Sequence, residues 1–287
     1  MKKLEGHSHH KKKKQVRILG LVFSYTYFWI FFMRIAIWGI NGKMGQALLC
    51  EIKNYNDVEV VFGVDNLYQN YETIVCYTDA SKIKEKVDVI IDFSNHNATF
   101  DILSYALKTK TPVIFCSTSQ NENELSVIKN ASKTIPILLS PNMSFGANFM
   151  LNFAQTASNL FLSKGFSVDI SETHHNAKLD RPSGTAKSIL NAILSVCPNL
   201  SVEETISGKR NANEICMHSF RIGSESGTHN LIFSNDYETI TLSHKVYSRN
   251  VFAKGALDAA YKIINKNHGL YSMKNIDEKC EKNIKKF

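Results

Sequence analysis

The residues with the clearest chemical potential occupy one segment, E-T-H-H-N-A-K-L-D-R-P-S-G-T-A, at residues 172–186. A histidine titrates near neutral pH, so His174 can give a proton to a carbon or nitrogen that receives a hydride. The cation of Lys178 would lower the pKa of this histidine and offers a second proton source or a carboxylate partner. Asp180 is placed to orient the segment. The pattern therefore favours acid catalysis.

The end of the same segment is typical of a helix start that binds an anion. The hydroxyls of Ser183 and Thr185, with the free N–H groups of a first turn at Gly184, would cradle a carboxylate. A proton donor followed by such a cradle suits a small acidic substrate. The alternative is that Ser183 is only an N-cap and that the histidines are polar loop residues.

A metal site is a third interpretation of the segment. Neighbouring residues on a strand point to opposite faces, so His174 and His175 cannot easily share one ion. The sequence has no H-x-x-x-H pattern here and no nearby cysteine cluster that would support zinc. We therefore predict no metal.

The elements that position this segment follow from the hydrophobic pattern. Short apolar runs alternate with helical stretches up to residue 140, which is typical of a parallel sheet covered on both faces. Strands are predicted at 34–39, 58–64, 87–93, 112–116 and 136–140, and helices at 44–54, 98–108 and 122–133. Later strands are predicted at 166–172, 214–221, 227–234 and 239–246, and later helices at 148–162, 185–194 and 252–265. The fold class predicted is α/β: a Rossmann-type doubly wound parallel sheet plus a second α+β domain with a mostly antiparallel mixed sheet.

A glycine loop follows the first predicted strand and opens the first helix. Its spacing, G-x-x-G-x-x-G over residues 39–45, departs from the usual G-x-G-x-x-G, but its position is where backbone N–H groups approach a pyrophosphate. Asp65 ends the next strand, where an acid binds a ribose hydroxyl. Asn66 follows it in place of an arginine, which leans toward NADH over NADPH, although Lys43 could attract a phosphate. The alternative is a glycine-rich turn without a ligand. The predicted cofactor residues here are Gly39, Asn41, Gly42, Lys43, Met44, Gly45 and Asp65.

Polar residues also follow three later strands of the predicted parallel sheet. The carboxyl ends of such strands face one crevice, where ligands bind. These residues could equally be plain strand-capping turns. The predicted cofactor residues in them are Ser94, Cys116, Ser117, Thr118, Ser140, Asn142 and Met143.

Charge and cysteine content limit the function classes. Residues 1–32 carry seven basic side chains and one acid, so they hold +6 of the formal net charge of +8. The remaining chain is close to neutral, and nucleic-acid binding is therefore not expected. The six cysteines form no C-x-x-C pair, which is typical of reduced thiols in a cytoplasmic protein.

The first 32 residues include part of an apolar run that resembles a signal peptide or a short anchor. The run covers residues 18–33, just short of the ~17–25 residues that span a bilayer. The first strand of the sheet follows Met33 without a linker, so we expect residues 1–32 to be a non-native or upstream extension and membrane attachment to be absent. A real anchor would instead make the chain a non-catalytic, membrane-tethered nucleotide-binding protein.

The histidine segment closely resembles the signature of the 4-hydroxy-tetrahydrodipicolinate reductase (dihydrodipicolinate reductase) family, E-x-H-H-x-x-K-x-D-x-P-S-G-T-A. Every fixed position is met. R-I-A-I-W-G-I-N-G-K-M-G, I-D-F-S, P-N-M-S-F-G-A-N, S-H-K-V-Y-S-R-N-V-F-A and G-L-Y-S-M also match in order, so the likeness covers essentially residues 33–276.

The resemblance implies NADH- or NADPH-dependent reduction of a cyclic dicarboxylate to tetrahydrodipicolinate, in diaminopimelate and lysine biosynthesis, by a homotetramer. It implies that His174 is the proton donor and Lys178 its catalytic companion. It implies that the substrate carboxylates meet His175, Ser183, Gly184, Thr185 and Arg249. The implied division is a dinucleotide-binding domain at 33–145, a substrate-binding and oligomerisation domain at 146–250, and a segment at 251–287 that returns to the first domain.

The sequence departs from the family pattern in one loop that bears on the cofactor. The family's G-T-T-G stands here as C-S-T-S at residues 116–119, so both glycines are replaced and the close backbone approach is in question. The remaining alternative of the same class is another Rossmann-type reductase that acts on an amino-acid semialdehyde or imine.

Overall fold

The computed structural model describes residues 15–18, 21–24, 32–69, 71–203, 209–211 and 213–276. The chain divides into two compact units, Met1–Phe32 and Met33–Phe287. In the first unit, strand β1 (Gln15–Ile18) pairs antiparallel with β2 (Leu21–Ser24), and the remainder of the predicted extension lies outside the described residues. Among the described residues, no helix is both long and apolar enough to cross a membrane.

The second unit contains twelve strands and six α-helices within its described residues. The strands are β3 (Met33–Trp38), β4 (Val58–Val64), β5 (Val75–Tyr77), β6 (Val89–Asp92), β7 (Val113–Phe115), β8 (Pro136–Leu139), β9 (Ser167–His174), β10 (Ser201–Glu203), β11 (Glu214–Arg221), β12 (Thr228–Ser234), β13 (Thr239–Lys245) and β14 (Gly269–Tyr271). The helices are α1 (Lys43–Ile52), α2 (Thr99–Thr109), α3 (Glu122–Ala131), α4 (Phe145–Leu162), α5 (Gly184–Leu194) and α6 (Asn250–Ile263).

The first sheet is parallel throughout, with the strand order β14-β8-β7-β6-β3-β4-β5. Alternate residues of β3 face opposite layers. Ile35 and Ile37 pack with α1 and α6, whereas Ala36 and Trp38 pack with α2 and α3. Helices therefore cover both faces, and the predicted doubly wound fold is confirmed. The edge strands β5 and β14, of three residues each, were not predicted.

The second sheet is mixed, with the order β10-β11-β9-β12-β13. Helices α4 and α5 cover one of its faces, where Val168 and Ile170 of β9 meet Met150 and Ile189. The mixed character is confirmed, but two of the four pairings are parallel, fewer antiparallel pairs than expected. The reason is that β9 inserts between β11 and β12, so these consecutive strands are not partners.

Candidate active site

Strand β9 carries an apolar face that becomes polar at its end. Its burial alternates along the strand, which places Val168, Ile170, Glu172 and His174 on the buried side. Glu172 is fully buried, and His174 is 8% exposed. An Oε2 of Glu172 contacts Nδ1 of His174 directly. The sequence-predicted acid is therefore held against a carboxylate from its own strand.

The neighbouring strands complete the cluster around this pair. In the sheet register, Arg221 of β11 lies opposite His174 and His229 of β12 lies opposite Glu172. Arg221 Nη1 donates to the Glu172 carboxylate over 3.0 Å. The rings of His174 and His229 are edge to face with centroids 5.1 Å apart, and His229 Nε2 lies 3.0 Å from the Ser183 hydroxyl.

Electrostatics give each member of the cluster a distinct state. Burial lowers the pKa of His174; Glu172 raises it, but Lys178 and Arg221 oppose that effect and the net pKa lies below the ordinary value. Burial raises the pKa of Glu172, but its polar neighbours and the nearby cations lower it by more. The net pKa lies below the ordinary value, so the carboxylate is ionised. Burial, with the charge of His174, lowers the pKa of His229 to about 4, so this ring is neutral at pH 7.

The loop after β9 carries Lys178 and is tied to the cluster by Arg221. The Lys178 ammonium lies 2.7 Å from an Asp180 carboxylate oxygen. Arg221 Nη2 donates to the Asp180 carbonyl over 2.6 Å, and its Nε donates to the Lys178 carbonyl over 3.3 Å. One guanidinium therefore holds both the Glu172 carboxylate and the loop that presents Lys178.

His175 does not join His174. It lies half-buried just after β9, and its carbonyl accepts the N–H of Lys178. Within the described residues, one group of three potential metal ligands lies together: Glu172, His174 and His229. Ligand atoms around a tetrahedral zinc ion stand roughly 3.3 Å apart at ordinary bond lengths. In this structure Glu172 pairs with His174 through one carboxylate oxygen and with Arg221 through the other.

The predicted anion cradle lies at the start of α5. Ser183 is the N-cap: its hydroxyl accepts the N–H of Ala186 over 3.2 Å and also contacts His229. Ser183 is 2% exposed, and its hydroxyl acts as the N-cap of α5, as the alternative interpretation of the sequence predicted. Gly184 is exposed and Thr185 half-buried, and the N–H groups of this first helical turn have no acceptor within the helix.

The glycine loop forms the expected connection between β3 and α1. Gly39 has φ +77°, and a side chain there would meet the backbone of Phe93 at 2.7 Å. A Cβ on Gly45 would come within 2.2 Å of the Gly39 carbonyl. Gly42 caps α1 without a side-chain hydrogen bond, so the first-turn N–H groups of α1, at Lys43, Met44 and Gly45, remain open to an anion. The residues present therefore fit a dinucleotide pyrophosphate.

Asp65 lies at the end of β4, beside this loop. Its carboxylate accepts the N–H of Asn41 over 2.9 Å, and the Asn41 amide donates to the Leu67 carbonyl. A cavity of about 1100 Å³ opens next to it, lined by Gly39, Asp65, Ser94 and Asp101 among others. Part of its lining lies at the carboxyl ends of the parallel strands, where nucleotides bind in this fold, and part comes from residues 84–86 and from Lys108, which precede β6 and β7.

The other predicted cofactor residues divide into two groups. The hydroxyls of Ser94 and Ser117 both donate to Asp92, a fully buried acid that ends β6. They therefore organise the strand ends from within. Cys116 is half-buried and Thr118 exposed in the loop that follows β7.

Three predicted residues lie where the two sheets approach each other. Ser140 donates to the Asn142 carbonyl, Asn142 Nδ2 donates to the Thr185 hydroxyl over 3.1 Å, and Met143 is buried against Gly255 of α6. The Asn142–Thr185 bond links a predicted cofactor residue to a predicted substrate residue. Arg249 is exposed and immediately precedes α6, so the start of this helix fixes its position.

Sequence reasoning missed four residues of the cluster. Glu172 stood inside the quoted segment, and its period-two spacing from His174 was an available signal. Arg221, His229 and His244 come from other strands; His244 lies 6.5 Å from His229, ring to ring, and 3.2 Å from the Ser144 hydroxyl. The sequence around these three residues indicated a functional role only weakly. Each is a polar residue on a strand in which apolar and polar residues otherwise alternate.

Two family models match successive parts of the chain: "Dihydrodipicolinate reductase, N-terminus" over residues 33–143 and "Dihydrodipicolinate reductase, C-terminus" over residues 146–276. The 4-hydroxy-tetrahydrodipicolinate reductase of Caldanaerobacter subterraneus subsp. tengcongensis is 40% identical over 251 residues, which are 86% of this chain and 99% of that protein. The protein of the same name from Clostridium tetani is 37% identical over 244 residues, 84% of this chain and 95% of that protein.

Solved structures share the fold. A dipicolinate-bound dihydrodipicolinate reductase from Paenisporosarcina sp. TG-14 matches with a TM-score of 0.72 at 23% identity, over 84% of this chain and 97% of that chain. An amine dehydrogenase from Mycobacterium smegmatis matches with a TM-score of 0.56 at 11% identity, over 84% and 95%. Nothing in these comparisons favours the semialdehyde reductase or the tethered protein. The two family models and the curated relatives together show that the chain belongs to the dihydrodipicolinate reductase family of oxidoreductases.

Proposed function

We propose that this chain reduces 4-hydroxy-tetrahydrodipicolinate to tetrahydrodipicolinate, with His174 as proton donor and Lys178 as its catalytic companion. The observation that carries the assignment of roles is the buried Glu172–His174 pair at the end of β9, beside the start of α5. A nicotinamide bound in the first sheet would supply the hydride. The residues of the second sheet then have to deliver one proton and hold two carboxylates.

The proposed source of the proton is Nε2 of His174, the ring nitrogen that Glu172 does not contact. Glu172 occupies the Nδ1 side of His174, and the Nε2 side faces Gly227, where a Cβ would stand only 3.0 Å away. Glycine at this position leaves room for a substrate atom next to Nε2. A protonated His174 can therefore donate from Nε2, while Lys178 offsets negative charge on the substrate.

The substrate carboxylates bind at the start of α5. The first-turn N–H groups of Gly184 and Thr185, together with His175, Ser183 and Arg249, are the proposed carboxylate contacts. The Lys178–Asp180 ion pair shows that this loop already accommodates a carboxylate beside its ammonium group. A substrate carboxylate would compete with Asp180 for the same cation.

The nucleotide is proposed to lie across the glycine loop, with its pyrophosphate on α1 and its ribose on Asp65. The proposed cofactor contacts are Gly39, Asn41, Gly42, Lys43, Met44, Gly45, Asp65, Ser94, Cys116, Ser117, Thr118, Ser140, Asn142 and Met143. NADH is slightly favoured over NADPH, because the Asp65 carboxylate would repel a 2′-phosphate and Asn66 offers no cation. A homotetramer, assembled through the sheet face that α4 and α5 leave open, and a cytoplasmic location stay predictions.

A coupled assay tests the reaction. The protein is mixed with dihydrodipicolinate synthase, pyruvate, aspartate semialdehyde and either NADH or NADPH, and the absorbance of the reduced nucleotide is followed. We expect oxidation that requires every component. Absence of oxidation with both nucleotides would reject the proposed function.

A binding titration tests the cofactor preference separately. We expect the Asp65→Ala variant to narrow the ratio of the Kd values for NADPH and NADH, measured by fluorescence. Asp101→Ala is the matched control, because Asp101 lines the same cavity from α2. An unchanged ratio in the Asp65 variant would remove this residue from ribose recognition.

A further inference from the structure

Glu172 and Arg221 of the second sheet carry charges that the proposed reaction does not use. Glu172 has no exposed surface, and ionised carboxylates are rarely buried unless a partner compensates them. Here the compensation comes from three directions: Arg221 at 3.0 Å, the Ser183 N–H at 3.3 Å and the His174 ring.

We propose that Glu172 is a positioning residue that fixes the tautomer and orientation of His174, and that Arg221 is the counter-charge that keeps Glu172 ionised while it holds the Lys178 loop. This inference rests on the proposed function for its catalytic consequence.

The tautomer follows from the chemistry of the contact. An ionised carboxylate can only accept hydrogen bonds, so the His174 nitrogen that faces it must carry the proton. In the neutral ring, Nδ1 is then protonated and Nε2 is not. The proton gained when the ring becomes charged therefore sits on Nε2, the atom on the side of Gly227. Without the carboxylate, either nitrogen could hold the proton of the neutral ring.

The geometry of the sheet explains why the contact is rigid. Glu172 and His174 are two residues apart on β9, so their side chains leave the same face of the strand. Arg221 closes the cluster from β11, and its two further hydrogen bonds go to the carbonyls of Lys178 and Asp180. Movement of Arg221 would therefore disturb the acid and its companion together.

Every charged or titratable group around His174 enters the pH behaviour. Glu172 faces it from its own strand, Arg221 from β11, His229 from β12 and Lys178 from the following loop. Of these, only Glu172 favours the protonated ring. Removal of its charge should therefore lower the pKa of His174 further. A general acid loses activity as the pH rises through its pKa, so this limb of the pH profile should move to lower pH.

The Glu172→Gln variant tests the proposal, because it keeps the shape and removes the charge. We expect kcat at neutral pH to fall by roughly 10²-fold, with little change in KM, and the falling limb of the kcat/KM profile to shift to lower pH. Glu124→Gln is the matched control. Glu124 is also a buried glutamate paired with a histidine, His96 at 2.9 Å, but it lies on α3 and caps that helix, a task that glutamine also performs.

Two further measurements separate positioning from folding and from the proposed function. The double variant Glu172→Gln/Arg221→Gln removes both charges of the pair. It should therefore be more stable than Glu172→Gln, but its activity should stay as low as that of the single variant. Recovery of activity in the double variant would show that charge balance alone matters. Nitrogen NMR of the free protein, with His174→Gln for assignment, should show Nδ1–H in the neutral ring of the wild type and a mixture in Glu172→Gln.

The NMR measurement tests whether Glu172 fixes the tautomer of His174 even if the coupled assay detects no oxidation of the nucleotide. An unchanged tautomer together with an unchanged pH limb in Glu172→Gln would reduce Glu172 to a structural role. Inactive wild-type protein with the expected tautomer would reject the proposed function and leave the positioning contact established.

Discussion

Two fully buried carboxylates, Asp92 in the parallel sheet and Glu172 in the mixed sheet, have pKa values that are shifted in opposite directions. Asp92 accepts hydrogen bonds from the neutral side chains of Ser94 and Ser117; burial dominates and raises its pKa. Glu172 meets Arg221 and His174, and its pKa is lowered. Equal burial therefore goes with pKa shifts of opposite direction, according to whether the partners are neutral or cationic.

The two halves of the proposed site also differ in the chemical groups from which they are built. The nucleotide half is made of backbone: glycines that permit close approach and N–H groups at the start of α1. The proton-transfer half is made of buried ionisable side chains from three adjacent strands. A dinucleotide needs shape and neutral donors, whereas proton transfer needs a group whose charge changes and neighbours whose charge does not.

The largest expected effect is the loss of the acid itself. The His174→Gln variant should lower kcat by roughly 10²–10⁴-fold, the usual contribution of general acid catalysis, while nucleotide affinity stays unchanged. His96→Gln serves as the control, since His96 is also paired with a buried glutamate but in the other half of the molecule. Steady-state kinetics at saturating nucleotide measure the effect. A near-wild-type rate would remove His174 from the mechanism.

A glycine substitution should break the nucleotide half in a different way. A Cβ on Gly45 would stand 2.2 Å from the Gly39 carbonyl and 2.6 Å from the Ile40 carbonyl, so α1 must move. We expect Gly45→Ala to lower the free energy of unfolding by about 1–3 kcal/mol and to raise the Kd for NADH by about tenfold or more. Gly184→Ala is the comparison, because nothing lies within 4 Å of the added carbon. Equal Kd values in the two variants would contradict the steric argument.

These two halves also differ in how far the sequence could predict them. The glycine loop and Asp65 are local signals, because β3, α1 and β4 follow one another along the chain. Arg221 lies 49 residues from Glu172, and only the insertion of β9 between β11 and β12 brings them together. No period within a strand reveals which strand it pairs with, so the prediction found His174 and Lys178 without Arg221 and His229.

A smaller effect should appear in the dependence of stability on pH. The pKa of His229 is about 4 in the folded protein and near 6.5 when unfolded, so the unfolded chain takes up its proton first as the pH falls. The stability from neutral His229 is present above pH 6.5 and is lost between pH 6.5 and 4, by roughly 2 kcal/mol at pH 5. His229→Gln keeps a polar group beside Ser183 and lacks this titration.

Urea unfolding at pH 7 and at pH 5 measures this contribution as the difference between the two proteins. The pKa values of His174 and His244 are also lowered by burial, so these residues also contribute a loss of stability over this pH range in wild type and in His229→Gln. Subtraction of the two free energies of unfolding therefore leaves the contribution of His229. The same pH dependence in wild type and variant would show that folding does not lower the pKa of His229.

The smallest expected effect concerns the loop that departs from the family pattern. Ser119 has φ +71°, the left-handed region that glycine favours, so the backbone keeps a glycine-like conformation without the glycine. Ser119→Gly should therefore raise the free energy of unfolding by at most about 1 kcal/mol and leave the Kd for NADH within about twofold. Lys110→Gly is the control, because Lys110 has φ +59° at the end of α2. Similar stabilisation in both, measured by urea unfolding, is the expected result. Much tighter nucleotide binding in Ser119→Gly alone would show that the serine side chain, and not the backbone, limits the approach of the cofactor.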